Sequence, residues 1–400
     1  MSNIKAGAAW APINIQDVLP MEGFTIVRDD LTVRLLIVEN GERFVIASMD
    51  MTSLPEDVHD EMISLVSDLT GAPLAHVWLT LTHSFAGPHI FPAPKPGKPQ
   101  RGPVRSPEEL AKMALLREHY ESALKKAAEE AVGSMREAQV KAGAGESFVN
   151  IGRNVFDGER WVIGPNPEEP VNRKLSVLRV DDMEGNSIAT VFNYSVRSSA
   201  LANEDHHATD KIVTYDLGGE ARKNIEDKIG GTAIFLCGGA ADLNPREEGA
   251  KALASLGAEL GGDVLKVREG ATAISGTAPG TATVDVMLDN RDSNPNAGME
   301  NLIVTDTFEG NGRSEKQTVY MLDLGGAVLL GVKPEMDGIC AKAMTDGGAL
   351  MAVCMVNGSG KSMPSKRAYE LKQYTAFHSP FMPGSAEKMA EAAISLIESC

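Results

Sequence analysis

Short apolar runs, each closed by a turn, alternate along this chain with stretches of helical spacing. Residues 31–39 and 43–51 are apolar-rich and flank Asn40-Gly41, which predicts a β-hairpin. Val58, Met62, Ile63 and Val66 fall on one face of a helix predicted over 55–69, which Gly71-Ala-Pro ends. Residues 75–79, apolar but for His76, predict a buried strand that hands over to Thr80-Leu-Thr-His-Ser and is turned away by Gly87-Pro88. Ser106-Pro-Glu-Glu opens a helix with Ser106 as N-cap, Pro107 at the first position and Glu109 completing a capping box; the pattern carries it to about 141. Further strands are predicted at 147–151, 174–180, 188–196, 232–237, 281–290, 317–323, 327–332 and 350–356. Helices are predicted at 220–229, 247–267, 337–345 and 385–399, the last with Met389, Ala393, Leu396 and Ile397 inward. The alternation predicts an α/β chain of class layered sandwich, mixed β-sheets flanked by helices. There is no internal repeat and no linker, so residues 1–400 read as one domain. A proline-rich insertion at about 92–107, six prolines among Lys, Arg and Gly, is read equally as a lid or a surface loop.

Composition narrows the partners. Of 400 residues 43% are hydrophobic and 23% charged, which describes a globular chain rather than a disordered one. A net charge of −17 with no basic tract argues against nucleic acid or an anionic membrane surface as partner. No apolar segment is long enough to span a bilayer, and residues 1–12 lack a leader pattern. Cys237, Cys340, Cys354 and Cys400 show no CxxC spacing, which fits reduced thiols. The expectation is a cytoplasmic protein with a small-molecule substrate; assembly into a homo-oligomer is left open.

Candidate chemistry collects at strand ends, a usual place for ligand-binding residues. His83 and His89 follow one strand; Arg197 follows another; Asp242 and Asn244 leave a glycine turn after a third; Glu335 follows a fourth. Each has a structural alternative: a hydrogen-bonded His, or an Asx turn at Asp242-Leu-Asn244-Pro245. Gly358-Ser-Gly-Lys361-Ser362 is not a phosphate loop, because the position that needs its first Gly is Met355. His206-His207 reads as a solvated loop, and Cys237 as a buried thiol.

These segments, in this order, resemble the neutral, non-lysosomal ceramidase family and its small bacterial relatives. Thr-Leu-Thr-His83-Ser resembles the family's Thr-His-Thr-His-Ser, and Phe235-Leu-Cys-Gly-Gly-Ala-Ala-Asp242-Leu-Asn244-Pro-Arg resembles its Gly-Ala-Ala-Gly-Asp-Ile-Asn-Pro-Arg. Val191-Phe-Asn-Tyr with Arg197-Ser-Ser-Ala-Leu, Lys333-Pro-Glu335, Asn357-Gly and the Tyr369/Tyr374 segment follow; Tyr215-Asp-Leu-Gly-Gly-Glu-Ala-Arg matches only loosely. The resemblance spans almost the whole chain, without the family's immunoglobulin-like C-terminal domain. It implies the ceramidase catalytic fold and cleavage of an amide by water on a zinc held by two His, a Glu and a Tyr.

Carried over residue by residue, that ligand set is broken. The first His position is Leu81, the second falls on Arg197, the Tyr position on or beside Ser362 next to Lys361, and only Glu335 is kept. No cofactor is therefore expected, and no metal ligands; a zinc hydrolase remains the alternative if His89, His206 or His207 joins Glu335. Arg197 either pairs with Glu335 as scaffold repair or, with Lys361, takes over the metal's charge. The reading preferred is a metal-independent hydrolase of a small anionic amide, lactam or lactone. In it Arg197 and Lys361 hold charge, His83 moves a proton, and Asp242 or Glu335 orients it. His89, Asn244, Asn357, Ser362, Tyr369 and Tyr374 are the candidate substrate contacts. The alternatives are an isomerase or lyase acting on a small acid, and a non-catalytic binding protein.

Overall fold

The computed structural model describes residues 4–92, 105–201, 210–276, 278–292 and 308–399. His206, His207 and most of the proline-rich insertion lie outside them.

The largest sheet joins two halves. One half holds β1 (Lys5–Pro12), β3 (Thr32–Asn40), β4 (Glu42–Met49) and β5 (Val77–Leu81). The other holds β6 (Arg136–Glu146), β9 (Lys174–Asp182), β10 (Ser187–Tyr194) and β12 (Thr232–Cys237). Their order is β12-β10-β9-β6-β1-β3-β4-β5, with β14 (Thr272–Ala273) also on β6. Only two residue pairs join β1 to β6, and there the sheet folds over on itself. Its two halves thus face each other, and Ser48 Oγ reaches the Phe235 carbonyl across the gap at 3.1 Å.

Each half ends in a parallel pair fed by a crossover helix. α1 (Glu56–Thr70) joins β4 to β5, and α3 (Asp216–Ile229) lies between β10 and β12. α2 (Pro107–Gly133) packs beside α1, and α4 (Ala250–Glu269) beside α3. Between the halves Leu36, Ile46 and Trp78 meet Val180, Val191 and Ile234. Leu35, Ile37 and Val45 turn the other way, toward α1 and α2, while Phe192 and Phe235 turn toward α3 and α4. This period-two division of β-strand side chains makes helix, sheet, sheet and helix layers, the class the sequence predicts. Burying each such side chain contributes about 1.5–3 kcal/mol.

Four smaller sheets surround this core among the described residues. β7 (Asn150–Phe156), β8 (Trp161–Asn166) and β13 (Leu243–Pro245) form one. β15 (Gly280–Arg291), β16 (Gly310–Asp323), β17 (Val328–Val332) and β19 (Met351–Val353) form another. β18 (Glu335–Met336) pairs with β20 (Ser362–Met363), and β2 (Phe24–Val27) with β11 (Lys211–Val213). α5 (Gly338–Asp346), α6 (Lys366–Glu370), α7 (Tyr374–His378) and α8 (Ser385–Glu398) complete the chain.

Several boundaries differ from the sequence pattern. The capping box at Ser106 forms as expected, yet the helix stops at Gly133 rather than near 141. Ala142-Gly-Ala-Gly does not end a helix; it lies in β6, where α4 packs so closely that a Cβ on Gly145 would sit 2.7 Å from Val267. The strand expected at 147–151 is β7, three residues later. The strand expected at 350–356 is shortened to β19, because Met355 and Asn357 adopt left-handed φ of 61° and 50°.

Candidate functional site

The exits of β5, β10 and β12 converge on Glu335. His83, just past β5, sits in the left-handed region at φ 56°, a conformation that costs a non-glycine residue about 1–2 kcal/mol. Ser84 and Ser198 form a parallel bridge that sets the His83 and Arg197 loops side by side. The Ala241 N–H donates to the Met336 carbonyl at 3.0 Å, stitching the turn after β12 to β18.

Glu335 is 2% exposed and its carboxylate is saturated. Arg197 grips it with a fork, Nε to Oε1 at 2.8 Å and Nη2 to Oε2 at 2.6 Å. Ser362, opposite Glu335 in the β18–β20 register, donates Oγ–H to Oε2 at 3.0 Å. His83 Nε2 lies 3.0 Å from Oε1, while its Nδ1 faces the Thr52 carbonyl at 3.0 Å. Phe85 stands over both side chains, edge-on to His83 at 4.8 Å and 5.1 Å from the Arg197 guanidinium. Burial alone would push the Glu335 carboxyl up; Arg197 and His83 outweigh it and hold it well below its ordinary 4.5. Arg197 Nη1 has no acceptor among the described residues, so one donor of the fork points away from Glu335.

A second pair of carboxyls adjoins this centre. Asp242 Oδ1 accepts from the Gly338 N–H at 2.7 Å, and Asp337 Oδ2 accepts from both the N–H and the hydroxyl of Ser365, each at 2.7 Å. Asp337 Oδ1 is enclosed with no partner among the described residues. Burial pushes Asp337 up from 3.8 to about 6, against the pull of Ser365 and Arg153. Burial, then the charge of Asp337, raises Asp242 well above 3.8. Arg153, on β7, donates Nε–H to the Ala241 carbonyl at 2.7 Å, and its charge acts on both Asp337 and Asp242.

Of the residues singled out from the sequence, His83, Arg197, Glu335 and Ser362 are brought into contact, with Asp242 beside them. Asn244 lies next to this group on β13, 7% exposed and with its Oδ1 unpartnered among the described residues. Tyr374 is half-buried, its ring tilted against that of His378 with centroids 4.3 Å apart, and is close enough to Arg153 to act on its charge. The others are placed elsewhere. Lys361 is exposed, with no ion pair among the described residues. His89 pairs with Glu22 at 2.7 Å. The Asn357 amide serves as an extra rung on β5, accepting from the Leu79 N–H at 2.9 Å and donating to the Val77 carbonyl at 3.1 Å. The Tyr369 hydroxyl is buried and donates to the Phe381 carbonyl at 2.7 Å. Cys237 is fully buried, and burial raises its thiol well above 9.0, as suits an inert packing residue. Sequence reasoning missed Arg153 and Asp337. The signal for Asp337 was its position two residues after Glu335; for Arg153 it was a charge inside an otherwise apolar and amide-bearing strand.

Layers, strand-end site and motif order together define a neutral-ceramidase fold. The chain matches the crystal structure of neutral ceramidase from Pseudomonas aeruginosa with TM-score 0.74 at 15% identity, over 100% of this chain and 75% of that one. It matches a ceramidase complexed with C2 with TM-score 0.73 at 14% identity, over 100% of this chain and 76% of the other. Among curated proteins it is 23% identical over 211 residues to neutral ceramidase B of Dictyostelium discoideum, covering 49% of this chain. The match spans about a quarter of that relative's length, 26%. No family model matches the chain. The fold expected from the motifs is therefore the one found. No helix among the described residues is long and apolar enough to cross a membrane.

The zinc of that family does not fit these residues. At the positions the resemblance assigns to ligands stand Leu81, a fully buried aliphatic side chain, and Arg197, a cation already seated on Glu335. Both Glu335 oxygens face positive donors from this chain, where a dication needs free lone pairs.

Proposed function

We propose that this chain is a hydrolase of a small anionic amide, lactam or lactone that works without a bound metal. The observation that carries the reading is the Arg197 fork on Glu335, which sets a fixed positive group at the centre of the strand-end site. Arg197 Nη1 then donates to the substrate carbonyl and stabilises the oxyanion as it forms, a role worth about 2.7–4 kcal/mol per donor in hydrolases. The Asp242–Asp337 pair moves the proton. With Asp337 raised to about 6, one carboxyl of the pair takes a proton from water near neutrality and returns it to the leaving nitrogen or oxygen. Water oxygen bonds to the carbonyl carbon, the C–N or C–O bond breaks, and acid and amine (or alcohol) leave. His83, held by Thr52 and Glu335, keeps the Arg197–Glu335 pair in place.

The test is turnover of carboxylated amides, lactams and lactones by protein purified without added metal, with metal content measured alongside. The expected result is turnover that resists chelation and falls at least about 100-fold in Arg197→Met. Stoichiometric zinc with activity lost to chelator overturns the metal-free reading. No turnover on the whole panel overturns the hydrolase reading.

A further inference from the structure

β7, β8 and β13 floor a cavity of about 490 Å³, and the Arg197 backbone N–H donates to the Leu243 carbonyl on β13 at 3.4 Å, which sets that strand against the Glu335 centre. Its lining includes Ile151, Ile163 and Pro165, and two polar side chains that are more than nine-tenths buried, Arg153 (4% exposed) and Asn244 (7%). Asn244 lies opposite Ile151 in the β13–β7 register, and Arg153 is two residues further along β7, so all three share one face.

Arg153 is the unusual member. Its Nε is spent on the Ala241 carbonyl, while neither Nη meets an acceptor among the described residues. It has no ion pair of its own among them. The charges around it are Arg197, which repels it, Glu335, already saturated by Arg197 and His83, Asp337, whose Oδ2 is taken by Ser365, and Asp242, which burial drives toward its neutral form. Burial lowers Arg153 only to about 9, so it stays cationic at neutral pH. A buried cation without a dedicated counter-ion costs several kcal/mol, which a bound anion offsets. The cavity's other arginine is committed, since Arg246 grips Glu259 with two bonds of 2.7 Å. Glu247 and Glu248 also line the space but are exposed, and Glu247 lies 3.7 Å from Arg246.

We propose that this cavity is the substrate's carboxylate pocket, with the free Nη edge of Arg153 taking the carboxylate and Asn244 taking the neighbouring amide. The chemical class is a small amide that carries its carboxylate on the amine side, as an N-acylated α-amino acid does. Because the Leu243 carbonyl, next to Asn244, accepts from the Arg197 backbone N–H at 3.4 Å, a carboxylate on Arg153 sets the adjoining carbonyl toward Arg197. This rests on the hydrolase reading for the fate of the substrate, not for its binding.

The experiment is calorimetric titration of the full chain with N-acetylglycine and with its uncharged carboxamide. The acid is expected to bind about 10- to 100-fold more tightly than the carboxamide. Arg153→Met removes that preference, Arg153→Lys restores part of it, and Asn244→Ala weakens both ligands alike. If Arg153→Met does not fold, the wild-type preference and the Arg153→Lys variant decide. Equal binding of acid and carboxamide, no binding of the acid, or a preference unchanged in the Arg153 variants overturns the proposal. Binding with the expected preference but no turnover keeps this pocket and removes the hydrolase reading; turnover without the preference does the reverse.

Discussion

Replacing Arg197 by Met tests the centre of the site most directly. The wild-type pair comprises two charge-assisted bonds, of 2.8 and 2.6 Å, between side chains 13% and 3% exposed. Truncating one partner of such a pair costs about 3–5 kcal/mol, chiefly because the other charge is left buried. In Arg197→Met, Glu335 keeps only His83 and Ser362, and its burial is no longer outweighed. The pH dependence follows from the sign of the shift. The Glu335 carboxyl is depressed in the folded state, so its stabilisation is present above the unfolded value of about 4.5 and is lost as pH falls through the lower folded value. The variant lacks this contribution, so its deficit against wild type is full at pH 7 and shrinks below pH 4.5. Urea unfolding followed by circular dichroism at pH 7 and at pH 4 measures both numbers. Arg197→Met/Glu335→Gln removes both charges, and it is expected to recover most of the loss. The reasoning is refuted if Arg197→Met lies within about 1 kcal/mol of wild type at pH 7, or if the double variant is no more stable than the single one.

Two further outcomes are expected. Asp337 is raised in the folded state, so its contribution is complete below 3.8 and is lost as pH climbs to about 6; Asp337→Asn, still able to accept from Ser365, should gain roughly 2–3 kcal/mol on wild type between pH 4 and 7, and parallel stability–pH curves for the two proteins would refute the shift. Gly7 on β1 lies so close to α2 that a Cβ would sit 2.1 Å from the Ala131 carbonyl oxygen; Gly7→Ala should cost at least about 1–3 kcal/mol by urea unfolding, and a neutral effect would mean that α2 moves away freely.

The layers and most of their elements are legible in the sequence, because burial on one face imposes a period on each strand and helix whatever its partners. The strands β4 and β12 and the helices α1 and α8 are read within a residue or two in this way. The pattern fails where tertiary contact overrides it. The glycines of β6 look like a helix stop, yet they are there because α4 approaches that strand closely. Motif order also pointed to the fold that the structure shares with ceramidases at identities of 14–15%.

The site divides along the same line. Sequence alone determined that His83, Arg197, Asp242 and Glu335 each leave a strand. Which charges meet was decided only by the fold, because an ion pair between positions 138 residues apart leaves no mark on either segment. Lys361 and Arg197 are equally plausible cations on paper. The chain's path seats one on a buried carboxylate and leaves the other in solvent, while Arg153, unremarked in the sequence, becomes the buried cation with an open face because β7 runs past the turn after β12.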